Sequence, residues 1–193
     1  MKNTLDFYKN IYEPLFRKKY TRVSNRGKPA LRKFRKYMKD NKIEIKNMID
    51  VGCAWGKTLE YWEKRKVKSY GVDVAKTTVS YCKKKKYKCY LASATNLSMF
   101  SDKKFDLYMA TDVYEHLRIK DLRNAIEEAK RITKKYLLIR PHPTLDKRGR
   151  RNIKKALHLT VWSIDQWQKF FEESGLTIVE EIENNVFLMS IKK

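Results

Sequence analysis

The stretch Asn47–Gly56, NMIDVGCAWG, limits what this chain can fold into more than any other. Met48, Ile49 and Val51 supply the apolar, partly β-branched run of a buried strand. Gly52, Ala54 and Gly56 then follow at alternate positions with little or no side chain. A strand that breaks into so bare a turn and then opens a helix offers backbone N–H groups and a positive dipole end to a polar or anionic ligand. An ordinary tight strand-to-helix turn has the same look, so a second feature has to give the stretch its meaning.

That feature is KSYGVDV, Lys68–Val74, a short strand ending in Asp73, 23 residues beyond Asp50. A carboxylate at the tip of the neighbouring strand, about 20 residues past a glycine turn, is where a doubly wound sheet places the acceptor for a ribose diol. Downstream, helical and strand patterns alternate: helices over 57–66, 77–86 and 118–133, and strands over 88–92, 105–110 and 135–140. That rhythm predicts a parallel sheet with helices on both faces. A helix over 165–174 with Ser163 as its cap precedes two strands, 176–181 and 186–191, joined by Glu183-Asn184-Asn185 as an antiparallel hairpin.

With these motifs in place, the chain resembles the class I S-adenosylmethionine-dependent methyltransferases. DVGCAWG stands where that family has D-x-G-x-G-x-G, and GVDV where it has its second-strand acidic motif. FDLYMATDVYEHL, Phe105–Leu117, looks like its fourth-strand segment, and HLTVWSIDQWQKFFEESGLTIVE, His158–Glu180, is similar to its C-terminal helix and strand. The resemblance covers residues 45 to 193. It implies an α/β fold: a Rossmann-like, seven-stranded, mostly parallel sheet with the last strand antiparallel, in a single domain whose residues 1–45 form a helical N-terminal lid on a core of 46–193.

The resemblance also implies S-adenosyl-L-methionine as cofactor, bound by Asp50, Gly52, Cys53, Ala54, Gly56, Asp73, Val74, Ser93, Ala94, Thr111, Asp112 and Val113. Asp73 is expected to accept from the ribose hydroxyls, and Asp50 to brace the turn and the methionyl amino group. Ala54 replaces the usual middle glycine. Ser93 replaces an acid that accepts from the adenine amino group in many relatives, which leaves a weaker, neutral acceptor.

Catalytic candidates are His116 and His142. Asp112, Glu115 and His116 share one face if a helix begins at Asp112, which leaves three readings open. They form a general base at His116, a metal site of two carboxylates and an imidazole, or a simple brace for the turn. The same D/E-x-x-E-H pattern resembles that of ubiquinone-pathway O-methyltransferases, where a divalent ion is implicated; the expectation adopted is no metal. His142, just past the fifth strand, lies on the acceptor side, and Arg148, Arg150 and Arg151 either hold an acceptor's phosphate or carboxylate or form a solvated loop.

Residues 1–45 carry apolar positions at helical spacing, broken at Gly27 and Pro29. They either fold over the cofactor as a lid or cover one face of the sheet. Cys53, Cys82 and Cys89 form no CxxC pair and no even disulfide framework, so reduced thiols in a cytoplasm are expected. The start lacks the apolar centre of a secretory signal, and no apolar run is long enough for a membrane span.

The net charge of +23 suggests a polyanionic partner, nucleic acid or an acidic membrane surface. Yet lysines outnumber arginines 32 to 13, as a drift toward lysine alone would give. The leading expectation is methyl transfer to oxygen or nitrogen of a small or medium-sized acceptor. The alternatives are a nucleic-acid methyltransferase, against which the lack of an NPPY-type motif counts, and a catalytically silent nucleic-acid binder.

Overall fold

The computed structural model describes residues 4–18, 27–145, 156–183 and 185–191. The sequence-level assignments at Arg148, Arg150, Arg151 and Asn184 lie outside the described residues. Two helices lead, α1 (Thr4–Arg17) and α2 (Gly27–Asp40). Then come β1 (Asn47–Val51), α3 (Lys57–Glu63), β2 (Lys68–Asp73), α4 (Lys76–Lys84), β3 (Lys88–Leu91) and β4 (Phe105–Thr111). After a 3-10 turn at Tyr114–His116 follow α5 (Ile119–Ile132), β5 (Thr133–Arg140), α6 (Ile164–Glu173), β6 (Leu176–Glu183) and β7 (Val186–Ile191).

The seven strands form one sheet in the order β3-β2-β1-β4-β5-β7-β6. β1, β2, β3, β4 and β5 pair in parallel, and β7 runs antiparallel to both β5 and β6. Strand order reverses between β1 and β4, so the crossovers diverge there and leave a crevice at the strands' C-terminal ends.

Alternation along each strand sorts the core into two faces. Ile49 and Val51, Tyr108 and Ala110, Leu137 and Ile139, and Phe187 and Met189 point to one side. There the apolar stripe of α5 (Leu122, Ala125, Ile126, Ala129, Ile132) and Trp167 and Phe171 of α6 cover them. Met48, Leu107, Met109, Leu138 and Leu188 point to the other side, under Leu31 and Phe34 of α2 and Trp62 of α3. A third cluster, Leu59, Val79, Cys53, Cys82 and Cys89, lies under α3 and α4. The start of α6 carries the expected cap, a reciprocal pair in which the Ser163 hydroxyl accepts from Gln166 N–H and the Gln166 side chain accepts from Ser163 N–H.

Gly27 and Pro29 do not break the leading segment. They open α2, with Pro29 in the first turn, where its missing N–H has no helical partner to lose. The two helices of this segment pack in different places. α2 covers a face of the sheet, with Phe34 fully buried and its ring 6.3 Å from that of Trp62. α1 lies instead over the ends of the strands. Phe34→Ala is expected to cost about 3–5 kcal/mol in denaturant unfolding, as for a buried aromatic in a core. A cost near that of a surface substitution would show that α2 is not part of the fold.

Candidate active site at the strand ends

β1 leaves the sheet through Gly52 and Gly56 at φ of +79° and +73°, with Ala54 between them also left-handed at +45°. The N–H groups of Gly52 and Cys53 both donate to Val72 O, at 2.8 and 3.0 Å, which folds the turn back against β2. The missing side chains answer to the protein's own packing as much as to a ligand. A Cβ on Gly52 would sit 2.4 Å from Val113 Cγ2, and one on Gly56 would sit 2.9 Å from Cys82 Sγ. Gly52 nevertheless keeps its backbone exposed, and Ala54 is half-buried beside it.

Asp73 is the tie between β2 and this turn. Its two carboxylate oxygens accept from Ala54 N–H and Ala75 N–H, each at 2.9 Å. It thus performs the bracing expected of Asp50. Asp50 is buried on β1 and takes a hydrogen bond from Thr58 in α3, a partner that sequence reasoning did not identify. Burial pushes the Asp50 carboxyl up from 3.8 to about 7, against the hydrogen bond from Thr58, with the neighbouring Asp73 charge adding to the rise. Burial likewise raises Asp73 to about 6, although the N–H groups of Ala75 and Ala54 and the Thr78 side chain favour its ionised form.

Val74 follows half-buried at the rim. Ser93 and Ala94 are buried at the exit of β3. The Ser93 hydroxyl is engaged with its own turn, accepting from Thr95 N–H at 3.2 Å and bonded to the Thr95 hydroxyl at 2.8 Å. Thr111, Asp112 and Val113 leave β4 together, all half-buried, with Asp112 left-handed at φ +57°.

No helix starts at Asp112, so Asp112, Glu115 and His116 do not line up on a helical face. The turn is 3-10 and short, and the Asp112 carboxylate lies 3.5 Å from Arg140 Nη1 on β5. The fold gathers a different group. Glu115, His116 and His158 bring one ligand atom each to within 4.8 Å of one another. The ring centroid of His158 is 4.8 Å from that of His116 and 5.1 Å from that of His142, so all three histidines of the chain converge here. In the sequence His158 stood out only as the first residue of the segment His158–Glu180. Burial lowers His142 below its ordinary value, and the adjacent His158 lowers it further.

Cys53, Cys82 and Cys89 converge as well, with the Cys53 and Cys89 sulfurs 3.4 Å apart in a buried position beneath the turn. Their spacing in sequence carries no signal of this, because the strand–helix–strand unit brings them together.

α1 spans the crevice. The Tyr8 hydroxyl donates to Asp121 at 2.5 Å and accepts from Arg118 N–H at 3.0 Å. The Tyr12 ring meets His116 edge-on at 5.5 Å, and Phe16 meets Trp55 at 5.7 Å. Between them Glu13 accepts from the Thr77 hydroxyl at 2.7 Å and Thr77 N–H at 3.2 Å. One face of α1 therefore touches the exit of β4 at one end and the β1 turn and the start of α4 at the other.

A protein-family model described as "Methyltransferase domain" matches residues 49–138. Over those residues the chain is similar to a methyltransferase domain, and its seven-stranded sheet, mostly parallel with an antiparallel last strand, is the Rossmann-like fold of class I methyltransferases. No curated protein matches the sequence. Solved structures share the fold at low identity. Magnesium protoporphyrin IX methyltransferase from Synechocystis PCC 6803, with bound SAH, is 12% identical with a TM-score of 0.68, the match covering 97% of this chain and 99% of that one. A SAM-dependent methyltransferase from Archaeoglobus fulgidus is 23% identical with a TM-score of 0.61, covering 88% and 79%. The YcgJ protein from Bacillus subtilis is 21% identical with a TM-score of 0.57, covering 69% of this chain and 64% of that one. Among the described residues no helix is long and apolar enough to cross a membrane.

The two raised carboxyls at the strand ends set a pH dependence. Asp50 folds with a value near 7 and Asp73 near 6, against 3.8 for an ordinary aspartate, so between those limits the folded state holds protons that the unfolded state has released. Their contribution to stability is therefore greatest below pH ~4 and declines as pH rises through the folded values. Asp50→Asn is expected to remove its share of that decline, so the variant gains on the wild type by on the order of 2–4 kcal/mol between pH 5 and pH 8 in thermal unfolding. A gap between the two proteins that stays constant with pH would place Asp50 in water.

Proposed function

We propose that the crevice between β1 and β4 holds S-adenosylmethionine along Gly52–Ala54 and directs its methyl group to an oxygen or nitrogen of a small or medium-sized acceptor entering under α1. The observation that carries this reading is an acidic hole in a very basic protein. Asp50 and Asp73 are both buried near the ends of adjacent strands, and the partners described for them are hydroxyl and N–H groups: Thr58, Thr78, Ala54 and Ala75. A ligand bearing a ribose diol and positive charge fits such a pair. It supplies hydroxyl donors to the lone pairs left on Asp73 and offsets the cost of two buried carboxylates.

When bound, the cofactor supplies an electrophilic methyl group on a sulfonium. The protein's part is to hold the acceptor in line with that methyl and to keep water out. Tyr12, Glu13 and Phe16 of α1 close the crevice from above and act as the lid. His142, whose lowered value keeps it neutral near pH 7, and His116 take the acceptor's proton where the acceptor does not lose it unaided. Of the remaining residues expected to bind cofactor, Val74, Ser93, Ala94, Thr111, Asp112 and Val113 form the walls.

Saturable binding of S-adenosylmethionine is expected in calorimetry, weakened by about 1–3 kcal/mol in Asp73→Ala. Affinity is expected to fall as pH drops below about 6, where a protonated Asp73 loses its charge. Full affinity in the variant would place the ribose elsewhere. The net charge of +23 favours a second reading, an acceptor within nucleic acid. Turnover of such an acceptor would fall steeply with added salt, and turnover of a small acceptor would not.

A further inference from the structure

We infer that Cys53, Cys82 and Cys89 form a three-sulfur binding site for a soft, thiophilic metal ion of the copper(I) class, seated beneath the β1 turn. The inference goes beyond the methyltransferase reading and does not rest on it.

The first observation is convergence. Three parts of the fold supply one sulfur each: Cys53 comes from the turn after β1, Cys82 from α4 and Cys89 from β3. All three are buried, and their sulfur atoms lie within 4.8 Å of one another, with 3.4 Å between those of Cys53 and Cys89. Sulfurs arranged in a plane around one ion, at the ~2.3 Å of a zinc–thiolate bond, stand about 4.0 Å apart. The cluster already has that size.

The second observation is the room made for it. β2 lies between β1 and β3, and the residue that β2 pairs with Cys89 is Gly71. A Cβ on Gly71 would stand 2.7 Å from Cys53 Sγ, so the missing side chain is what lets the Cys53 sulfur lie over β2 and reach Cys89. Gly71 is not among the glycines with positive φ, so space and not backbone conformation calls for glycine there. Gly56 does the same for the third sulfur, since a Cβ on it would stand 2.9 Å from Cys82 Sγ.

The third observation decides the ion. Thiolates select copper(I), zinc and iron–sulfur clusters. Structural zinc and iron–sulfur clusters call for four protein ligands, and among the described residues no fourth histidine, cysteine or carboxylate joins the group. Burial also removes the bulk water that could fill a fourth position. A closed-shell monovalent ion is served by three sulfurs. Burial raises the Asp50 and Asp73 carboxyls, and charge on Cys89 adds to both, so thiolates here without a cation are opposed from two sides. On binding, each thiol that ligates as thiolate releases its proton to solvent, and the ion keeps its oxidation state. Cys82 exchanges its hydrogen bond to Ala54 O, 3.4 Å long, for the metal, which ties the turn to α4 and β3.

The test uses the reduced full chain without oxygen. Copper(I) is added and competed against a chromogenic copper(I) chelator, for the wild type, Cys82→Ala and Cys89→Ala, and the wild-type complex is examined by X-ray absorption at the copper edge. One equivalent is expected to be retained by the wild type, with three sulfur neighbours in the absorption spectrum. Each variant is expected to lose at least about tenfold in affinity, the least that removing even an outer-shell partner costs. Should the alanine variants not fold, the wild-type spectrum decides alone, because nitrogen or oxygen neighbours in place of the sulfurs overturn the inference. Failure of the wild type to hold the ion against the chelator, affinity unchanged in both variants, or preference for Zn2+ over copper(I) in direct competition overturns it as well.

Discussion

The Asp73 carboxylate, shared between Ala54 N–H and Ala75 N–H, is the contact on which the functional end of the molecule depends. One side chain fixes the β1 turn and the entrance to α4 relative to each other, and both define the crevice. The turn could not hold itself. Three alternate left-handed positions at 52, 54 and 56 are costly for all but glycine, and Ala54 adopts one with its N–H directed at a carboxylate. The short charge-assisted bond supplies the compensation. Electrostatics and backbone geometry are coupled here: protonating Asp73 weakens the contact that keeps Ala54 in place.

From that contact the surroundings follow in layers. Val113 fills the space over Gly52, so the exit of β4 is registered against the exit of β1 by a side chain that tolerates no Cβ opposite it. Asp112 turns to Arg140, which registers β4 against β5. α1 then bridges the assembled rim through Tyr8, Tyr12, Glu13 and Phe16, a face of one helix whose partners come from four separate segments. A helix attached in this way senses the relative placement of all of them.

The fold was legible because the sheet is buried on both faces, so each strand had to be an apolar run and each crossover helix an amphipathic one. IDV, YGVDV, FDLYMA and YLLIR could scarcely be anything else. The hairpin at the end of the sheet was legible from its turn. The start of α2 was not, because glycine and proline are helix breakers in the interior and helix openers in the first turn, and spacing alone does not say which. The one-face placement of Asp112, Glu115 and His116 failed for a related reason. Periodicity assumed a helix where the chain makes a single 3-10 turn, and residues three and four apart lie on one face only where the helix continues. His158 and the cysteine cluster were out of reach for a different cause: their neighbours are distant in sequence, and no local pattern encodes a contact made across 42 residues, as His116 to His158 is.

The charge of the chain acquires its meaning from where it is not. A molecule with a net charge of +23 keeps Asp50, Asp73 and Glu115 buried within one region, and each of the three is held above its ordinary value first by burial. Surface lysines, hydrated and screened within roughly 10 Å at moderate salt, do little to offset that cost. Carboxyls that are neither solvated nor ion-paired relax in one of two ways, by keeping their protons or by receiving a cation. The two on β1 and β2 draw on hydroxyl and N–H groups, and the one at the β4 exit lies beside the His116 imidazole.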